Sequence, residues 1–309
     1  MGGRTSGAFF VAAGATIWGT IGVAGKSLFS HGLDPMLVAS CRLSVAFLSM
    51  LAYVALFRRD LFRVRAADLL LFAGFGVVSV GLYNFFYLTA IHLTTASTAV
   101  VLLYTAPFFA VVVSVVLFKE RFGPVEVSGL ILAVAGTFLC VGGLSVLRGA
   151  ANPAGILAGL GSGLTYGLFG VFGKRGIERY DYRTVLVYSL GFGAAFLGLW
   201  RSPWSVLGGS LPAPVWAALV YLALGPTVAS YCLYHVGLEY TGAGRASVIS
   251  TVEVVVALVL GRFVLGEILS PAQVGGALMV LGGVALIQMR AGDPYGHSGD
   301  HPAETGVSL

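Results

Sequence analysis

Few residues of this chain can do chemistry, and those few lie inside long apolar runs. Glu253 stands in ASVISTVEVVVALVL, about nine residues or roughly 14 Å into its run at 1.5 Å per residue, close to the middle of a hydrocarbon layer of about 30 Å. An ionisable group there costs about 2.5–3.5 kcal/mol on insertion scales, so it needs a partner or a task. A carboxylate at that depth could exchange a proton as access to it alternates, touch a substrate, or pair with a cation. Arg42 is the candidate cation, about seven residues or roughly 10 Å into another run. Its guanidinium either ties itself to backbone carbonyls or faces a cavity and holds a carboxylate. The segment YNFFY sets Tyr83 and Tyr87 one turn apart on one helix face, with Asn84 beside them. Phenols and an amide facing lipid would lack partners, so this face should meet protein or a wet cavity. Tyr104, Tyr231 and the aromatic-glycine pairs Trp18-Gly19 and Tyr166-Gly167 extend the set, with ring stacking on a solute and plain helix packing as competing readings. His235 reads as an interfacial residue at a helix end. No HExxH, GxSxG, GxxxxGK[ST] or CxxC pattern occurs, so neither an enzyme nor an ATP-driven pump is expected, and no cofactor or metal is implied.

The elements that must position these residues follow from composition. Of 309 residues, 57% are hydrophobic and 10% charged, and the mean hydropathy is +0.91. A water-soluble domain carries about 45–50% and about 25%. The surplus calls for a bilayer. Runs of about 20 apolar residues, the length that crosses the layer, occur at residues 7–29, 35–57, 69–91, 96–118, 125–146, 154–173, 182–200, 213–236, 244–265 and 271–289. They are apolar on both parities, unlike the alternating strands of a membrane β-barrel. The expected fold is an all-α membrane protein of ten transmembrane helices. If the N-terminus is cytoplasmic, that side receives Arg4, Arg58, Arg59, Arg63, Arg65, Lys119, Arg121, Lys174, Arg175, Arg179, Arg183, Arg245 and Arg290, and the other side Lys26, Arg148, Arg201 and Arg262. Positive loops stay inside, so both termini are expected to be cytoplasmic. This loop bias explains the net charge of +5 without nucleic acid. The cysteines Cys41, Cys140 and Cys232 lie in spans and imply no disulfide framework.

The chain also repeats. A shift of 147 lays Thr94, Ala96, Ala106, Glu120, Pro124, Gly129 and Gly136 over Thr241, Ala243, Glu253, Glu267, Pro271, Gly276 and Gly283. The same shift lays Tyr87 and Asn84 over Tyr234 and Tyr231, and a shift of 148 lays Trp18, Gly19 and Lys26 over Tyr166, Gly167 and Lys174. Each unit holds five spans, an odd number, so the second enters the membrane inverted. Residues 1–150 and 151–290 are the expected five-helix repeats, and 291–309, polar and Gly/Pro-rich, a disordered cytoplasmic tail. Inverted halves are the architecture of many secondary transporters, with the solute site near the midplane. Glu253 meets Ala106 in the repeat, so the acid breaks the symmetry, as a site for an asymmetric solute must. In the sixth span Gly155, Gly159, Gly163 and Gly167 form one stripe suited to close helix contact. Pro107 and Gly225-Pro226 are expected to bend the fourth and eighth spans.

Five plus five spans, Ala106-Pro107 in the fourth, Phe118-Lys119-Glu120 and Leu265-Gly266-Glu267 closing the fourth and ninth, and Arg42 in the second resemble the drug/metabolite transporter superfamily, EamA type. Glu253-Val254 stands where that family often carries Glu-Pro, so the ninth span lacks the proline that would kink it. The resemblance implies a bacterial inner-membrane exporter of amino acids and other small metabolites, with a central cavity lined by spans one, three, four, six, eight and nine. The expected function is secondary active export of small metabolites, amino acids first, by alternating access. Glu253 is the proton-coupling candidate, and Trp18, Arg42, Tyr83, Asn84, Tyr87, Tyr104, Tyr166 and Tyr231 are the candidates for solute contact. A carrier of nucleotide sugars, vitamins or drugs is the alternative, and a non-transporting sensor or scaffold the alternative of another class. The small molecule and the bilayer are the expected partners, with a second copy of the chain as a further candidate.

Overall fold

A computed structural model describes residues 2–94, 96–140, 152–208, 211–264, 266 and 268–290. Among them every regular element is helical. Eight helices are long and apolar enough to cross a membrane: Ser6–Ser30, Pro35–Phe57, Ala66–Ala90, Thr98–Phe118, Pro153–Ile177, Tyr182–Trp200, Ala213–Thr241 and Ala243–Val264. Two shorter apolar helices, Pro124–Cys140 and Pro271–Ile287, complete the set. They stand at the ten places where apolar runs predict spans and are numbered here in chain order. The end of the fifth predicted run, Arg148, the side chain of Lys26, Glu267 and the tail from 291 lie outside the described residues.

Local chemistry sets the helix starts. Asp34 accepts the Met36 amide at 3.3 Å with Pro35 in the first turn. Asn152 accepts the Ala154 amide at 3.0 Å ahead of Pro153, and Asp181 accepts the Arg183 amide at 2.8 Å. Each satisfies an amide that has no intrahelical partner. The outward surface stays apolar, with Leu199 87%, Phe263 82% and Leu70 80% exposed, which suits lipid rather than water.

The packing has the symmetry that the repeat requires. The first span packs on the eighth and the third on the sixth; the first packs on the ninth and the sixth on the fourth; the second meets the seventh, the fourth the ninth and the fifth the tenth. Exchanging the two halves maps this set onto itself. The fifth and tenth spans cross through glycines: a Cβ on Gly136 would lie 2.6 Å from the Gly276 carbonyl, and one on Gly276 would lie 2.6 Å from the Gly136 carbonyl. Gly129 and Gly283 make the second such contact. Because Gly129 repeats as Gly276 and Gly136 as Gly283, the exchange converts one contact into the other. The glycine stripe of the sixth span does make close contacts, since a Cβ on Gly163 would lie 2.7 Å from the Leu102 carbonyl and one on Gly167 2.6 Å from the Ala106 carbonyl.

Several spans are interrupted at mid-depth. The third widens into π-helical turns over Phe75–Leu82 and the eighth over Ala223–Ala229, segments one repeat apart. In the eighth the cause is Pro226, which has no N–H to give the Leu222 carbonyl; the Thr227 hydroxyl donates to that carbonyl instead, at 2.9 Å. The first span breaks between Trp18 and Ile21, the fourth between Leu103 and Ala106, and the ninth between Ile249 and Val252. At each break a threonine hydroxyl donates to the carbonyl three residues back: Thr20 to Ile17 at 2.7 Å, Thr105 to Leu102 at 2.7 Å and Thr251 to Val248 at 2.7 Å. Such bonds compete with the helical ladder. The ninth span therefore breaks without a proline, through hydroxyl chemistry two residues before Glu253.

Candidate functional site

The interruptions converge on one cavity, so side chains on either side of each break turn toward a common centre. Its walls are Trp18 and Ile21 from the first span, Arg42 from the second, Tyr83 from the third, Leu103 and Tyr104 from the fourth, Tyr166 from the sixth, Pro226 and Tyr231 from the eighth, and Glu253 from the ninth. Seven of the nine residues singled out from the sequence thus meet. Asn84 does not join them: it is buried and its amide donates to the Val80 carbonyl at 2.7 Å, one turn back in its own helix. Tyr87 stands behind the wall, its ring stacked on Tyr83 at 6.5 Å between centroids and packed with Ala90, Ala99 and Ala158.

Several wall residues are held by identifiable contacts. The Trp18 indole N–H donates to the Pro226 carbonyl at 2.8 Å, so a residue of the first span satisfies the irregular backbone of the eighth. Its ring lies edge-on to Tyr231 at 5.8 Å. Tyr83 and Tyr166 lie 5.2 Å apart, ring to ring, and the Tyr166 hydroxyl donates to Glu253 Oε2 at 3.4 Å. Gly19 permits this geometry, because a Cβ there would lie 2.9 Å from the Glu253 carbonyl. Its repeat counterpart Gly167 makes the matching approach to Ala106, where the repeat has no acid.

The charges are arranged unusually. Arg42 acts electrostatically on Tyr83, Tyr231 and Glu253, yet among the described residues it forms no ion pair with Glu253, and its buried Nε has no hydrogen-bond partner. A guanidinium and a carboxyl group therefore share one aromatic-walled space without closing on each other. The cavity volume is about 40 Å³, room for a water or two and far below the few hundred Å³ of a typical small-molecule pocket.

Toward the end that carries Arg65, Lys119, Arg121 and Lys174, the space is shut. Phe169 is buried and packs edge-on against Trp18, Tyr231, Tyr234, Phe75 and His235, with centroids 4.8–6.1 Å apart. Beside this plug is a smaller cavity of about 10 Å³ that shares Trp18 and Tyr166 with the first and adds Tyr234, Ser247 and Ser250. Trp18 and Tyr166, repeat partners, thus divide the two. His235 corrects the expectation of an interfacial residue: it is fully buried, with Nδ1 on the Tyr231 carbonyl at 2.8 Å and Nε2 unpartnered. The eighth helix runs on to Thr241, beyond the predicted end of its apolar run, which draws His235 into the bundle. Sequence reasoning passed over Phe169, Ser247 and Ser250. The hydroxyls in ASVISTVE, one and two turns before the acid, were the available signal for the last two. Among the described residues no group of His, Cys, Asp and Glu side chains could hold a metal ion.

A model of the EamA-like transporter family matches residues 5–142 and again residues 153–289. The chain belongs to the EamA-like transporter family. Similar proteins include an uncharacterised transporter of Archaeoglobus fulgidus, 29% identical over 276 residues, with 88% of this chain and 92% of that protein covered. The uncharacterised inner membrane transporter YicL of Salmonella typhimurium is 24% identical over 298 residues, covering 94% and 97%. A solved crystal structure superposes with a TM-score of 0.77 at 21% identity, covering 93% of this chain and 98% of that one, a likeness of fold. As an EamA transporter, the chain is a multi-pass membrane protein, and the cavity between its two family units is where a solute site is expected.

Proposed function

We propose that this EamA transporter exports small amphipathic metabolites, amino acids first among them, across the cytoplasmic membrane with both termini inside. The observation that carries the reading is the pairing of Arg42 and Glu253 within one cavity without a bond between them. An α-amino acid presents a carboxylate and an ammonium at a fixed short separation. Arg42 matches the first through a charge-assisted, bidentate contact, and Glu253 with the Tyr166 hydroxyl matches the second. The walls of Trp18, Tyr83, Tyr104 and Tyr231 then enclose the side chain, with ring faces that also attract cations. A phosphate-bearing solute would want several cations, and Arg42 is the one cation among the residues lining the cavity.

The small volume belongs to a contracted state, so the walls must part to admit a solute. The breaks in the first, fourth and ninth spans and the π turns in the third and eighth lie at the cavity and are where helix halves can change angle. Glu253 is the group through which proton movement would couple to that change. The experiment is counterflow in proteoliposomes with a panel of labelled amino acids. Uptake of one or a few by loaded vesicles supports the reading; no flux across the panel from correctly inserted protein overturns the amino-acid claim and turns attention to nucleotide sugars, vitamins or drugs.

A further inference from the structure

We infer that Glu120 and Lys174 form a latch that holds the two halves together at the basic end and must open each time the cavity turns to that side. The inference rests on reading the chain as an alternating-access transporter. Glu120 closes the fourth span, in the first repeat, and all three groups it binds belong to the second. It accepts Lys174 Nζ at 2.8 Å, the Ala243 amide at 2.9 Å and the Gly244 amide at 3.3 Å. Lys174 is near the end of the sixth span, and Ala243 and Gly244 begin the ninth. One carboxylate therefore ties three spans across the interface between halves.

The backbone is shaped for this contact. Lys119 is the one residue other than glycine with positive φ among the described residues, at 53°, a left-handed conformation that a residue with a Cβ disfavours. It ends the fourth span and turns Glu120 inward. Gly242 has φ 84°, and a Cβ there would stand 2.8 Å from Glu120 Oε1; a Cβ on Gly244 would stand 2.8 Å from the Phe122 ring. Two glycines thus let the carboxylate sit directly on the start of the ninth span. Lys174 and Glu120 are mostly buried, with side chains 23% and 14% exposed, and the ammonium also lies 4.4 Å from the centre of the Phe118 ring. Solvent screening is weaker for such a pair than for an exposed one.

Position gives the contact its role. Moving from the central cavity toward the basic end, the path meets Trp18 and Tyr166, the small cavity of Tyr234, Ser247 and Ser250, and then the start of the ninth span under Glu120. Opening on this side requires the ninth span to leave the fourth and sixth, and the three bonds of Glu120 oppose that separation. Lys174 and Glu120 are positioning residues: they touch no solute and set which side is open.

The test is alkylation of single introduced cysteines by a bulky hydrophilic maleimide on protein in lipid nanodiscs, where both faces are accessible and no solute is needed. Ser247→Cys reports the path on the basic side and Leu103→Cys the central cavity; the parent chain with Cys41, Cys140 and Cys232 gives the background. Glu120→Gln removes the charge that holds Lys174. The expected result is a rise of about tenfold in the labelling rate at Ser247→Cys, the population shift that corresponds to about 1.4 kcal/mol, with no fall at Leu103→Cys, since the central cavity is reached from that side once it opens. Lys174→Gln should do the same and carries the test if Glu120→Gln fails to fold. Unchanged rates in the folded variants overturn the latch, and so does an equal rise at the buried native Cys41 and Cys140, which would mean general loosening. Because no transport is measured, failure here is separable from failure of the amino-acid reading.

Discussion

Replacing Trp18 by phenylalanine keeps an aromatic ring and removes one N–H. That N–H donates to the Pro226 carbonyl at 2.8 Å, and Trp18 is 5% exposed, so the lost bond leaves a buried carbonyl in the π turns of the eighth span with no partner from the first. Stranding such a group costs about 1–3 kcal/mol, the ring contacts with Tyr231 and Phe169 being partly retained. The variant should therefore unfold at lower temperature by several degrees, at roughly 2 °C per kcal/mol for a long chain. Thermal unfolding in nanodiscs measures it. The cause is isolated by a double-mutant cycle with Pro226→Ala. Alanine restores the amide that Leu222 lacks and lets the eighth span close into a regular ladder, so the residue 226 carbonyl no longer depends on Trp18. In that background Trp18→Phe should cost less by about 1 kcal/mol or more, above the additivity expected of unconnected sites. An equal cost in both backgrounds would refute the assignment of Trp18 to the irregular backbone of the eighth span.

Three further outcomes follow from the same packing. Gly136→Ala and Gly276→Ala insert a methyl into the two ends of one reciprocal contact, each within 2.6 Å of the other's carbonyl; overpacking of this kind costs about 1–3 kcal/mol, and equilibrium unfolding should give the two losses within about 0.5 kcal/mol of each other. Gly163→Leu drives a side chain against Thr105 and the Leu102 carbonyl at the break of the fourth span, so solute flux should be lost while membrane insertion, read by protease protection, persists. Thr251→Val removes the hydroxyl bonded to the Val248 carbonyl at 2.7 Å and keeps the shape; the ninth span should straighten and flux fall at least severalfold, measured by counterflow, with little change in expression.

The ten spans were legible because a helix that crosses a bilayer must be apolar for about 20 residues, and the repeat carried the packing: Gly129, Gly136, Gly276 and Gly283, matched by a shift of 147, are the residues at which the fifth and tenth spans touch. The cavity was largely legible for a similar reason, since charged and phenolic groups inside spans must turn away from lipid. Asn84 escaped that logic because the Val80 carbonyl, one turn away, satisfies it locally. The π turns of the third span and the break in the ninth were not legible, because they depend on hydroxyls and on packing rather than on hydropathy. Glu120 and Lys174 were visible as separate repeat matches, to Glu267 and Lys26. Their meeting was not, because an in-plane two-fold joins the end of one repeat's fourth span to the other repeat's first.

The central claim is that Arg42 and Glu253 hold opposite ends of a zwitterion. The most direct measurement is competition against counterflow of the transported amino acid by the amino acid itself, by its methyl ester, which has no carboxylate, and by its N-acetyl derivative, which has no ammonium. The parent protein should bind each derivative at least tenfold more weakly; in Arg42→Ala the penalty on the ester should shrink, and in Glu253→Gln the penalty on the N-acetyl derivative. Derivatives that compete as well as the amino acid, or penalties unchanged in both variants, would contradict the account.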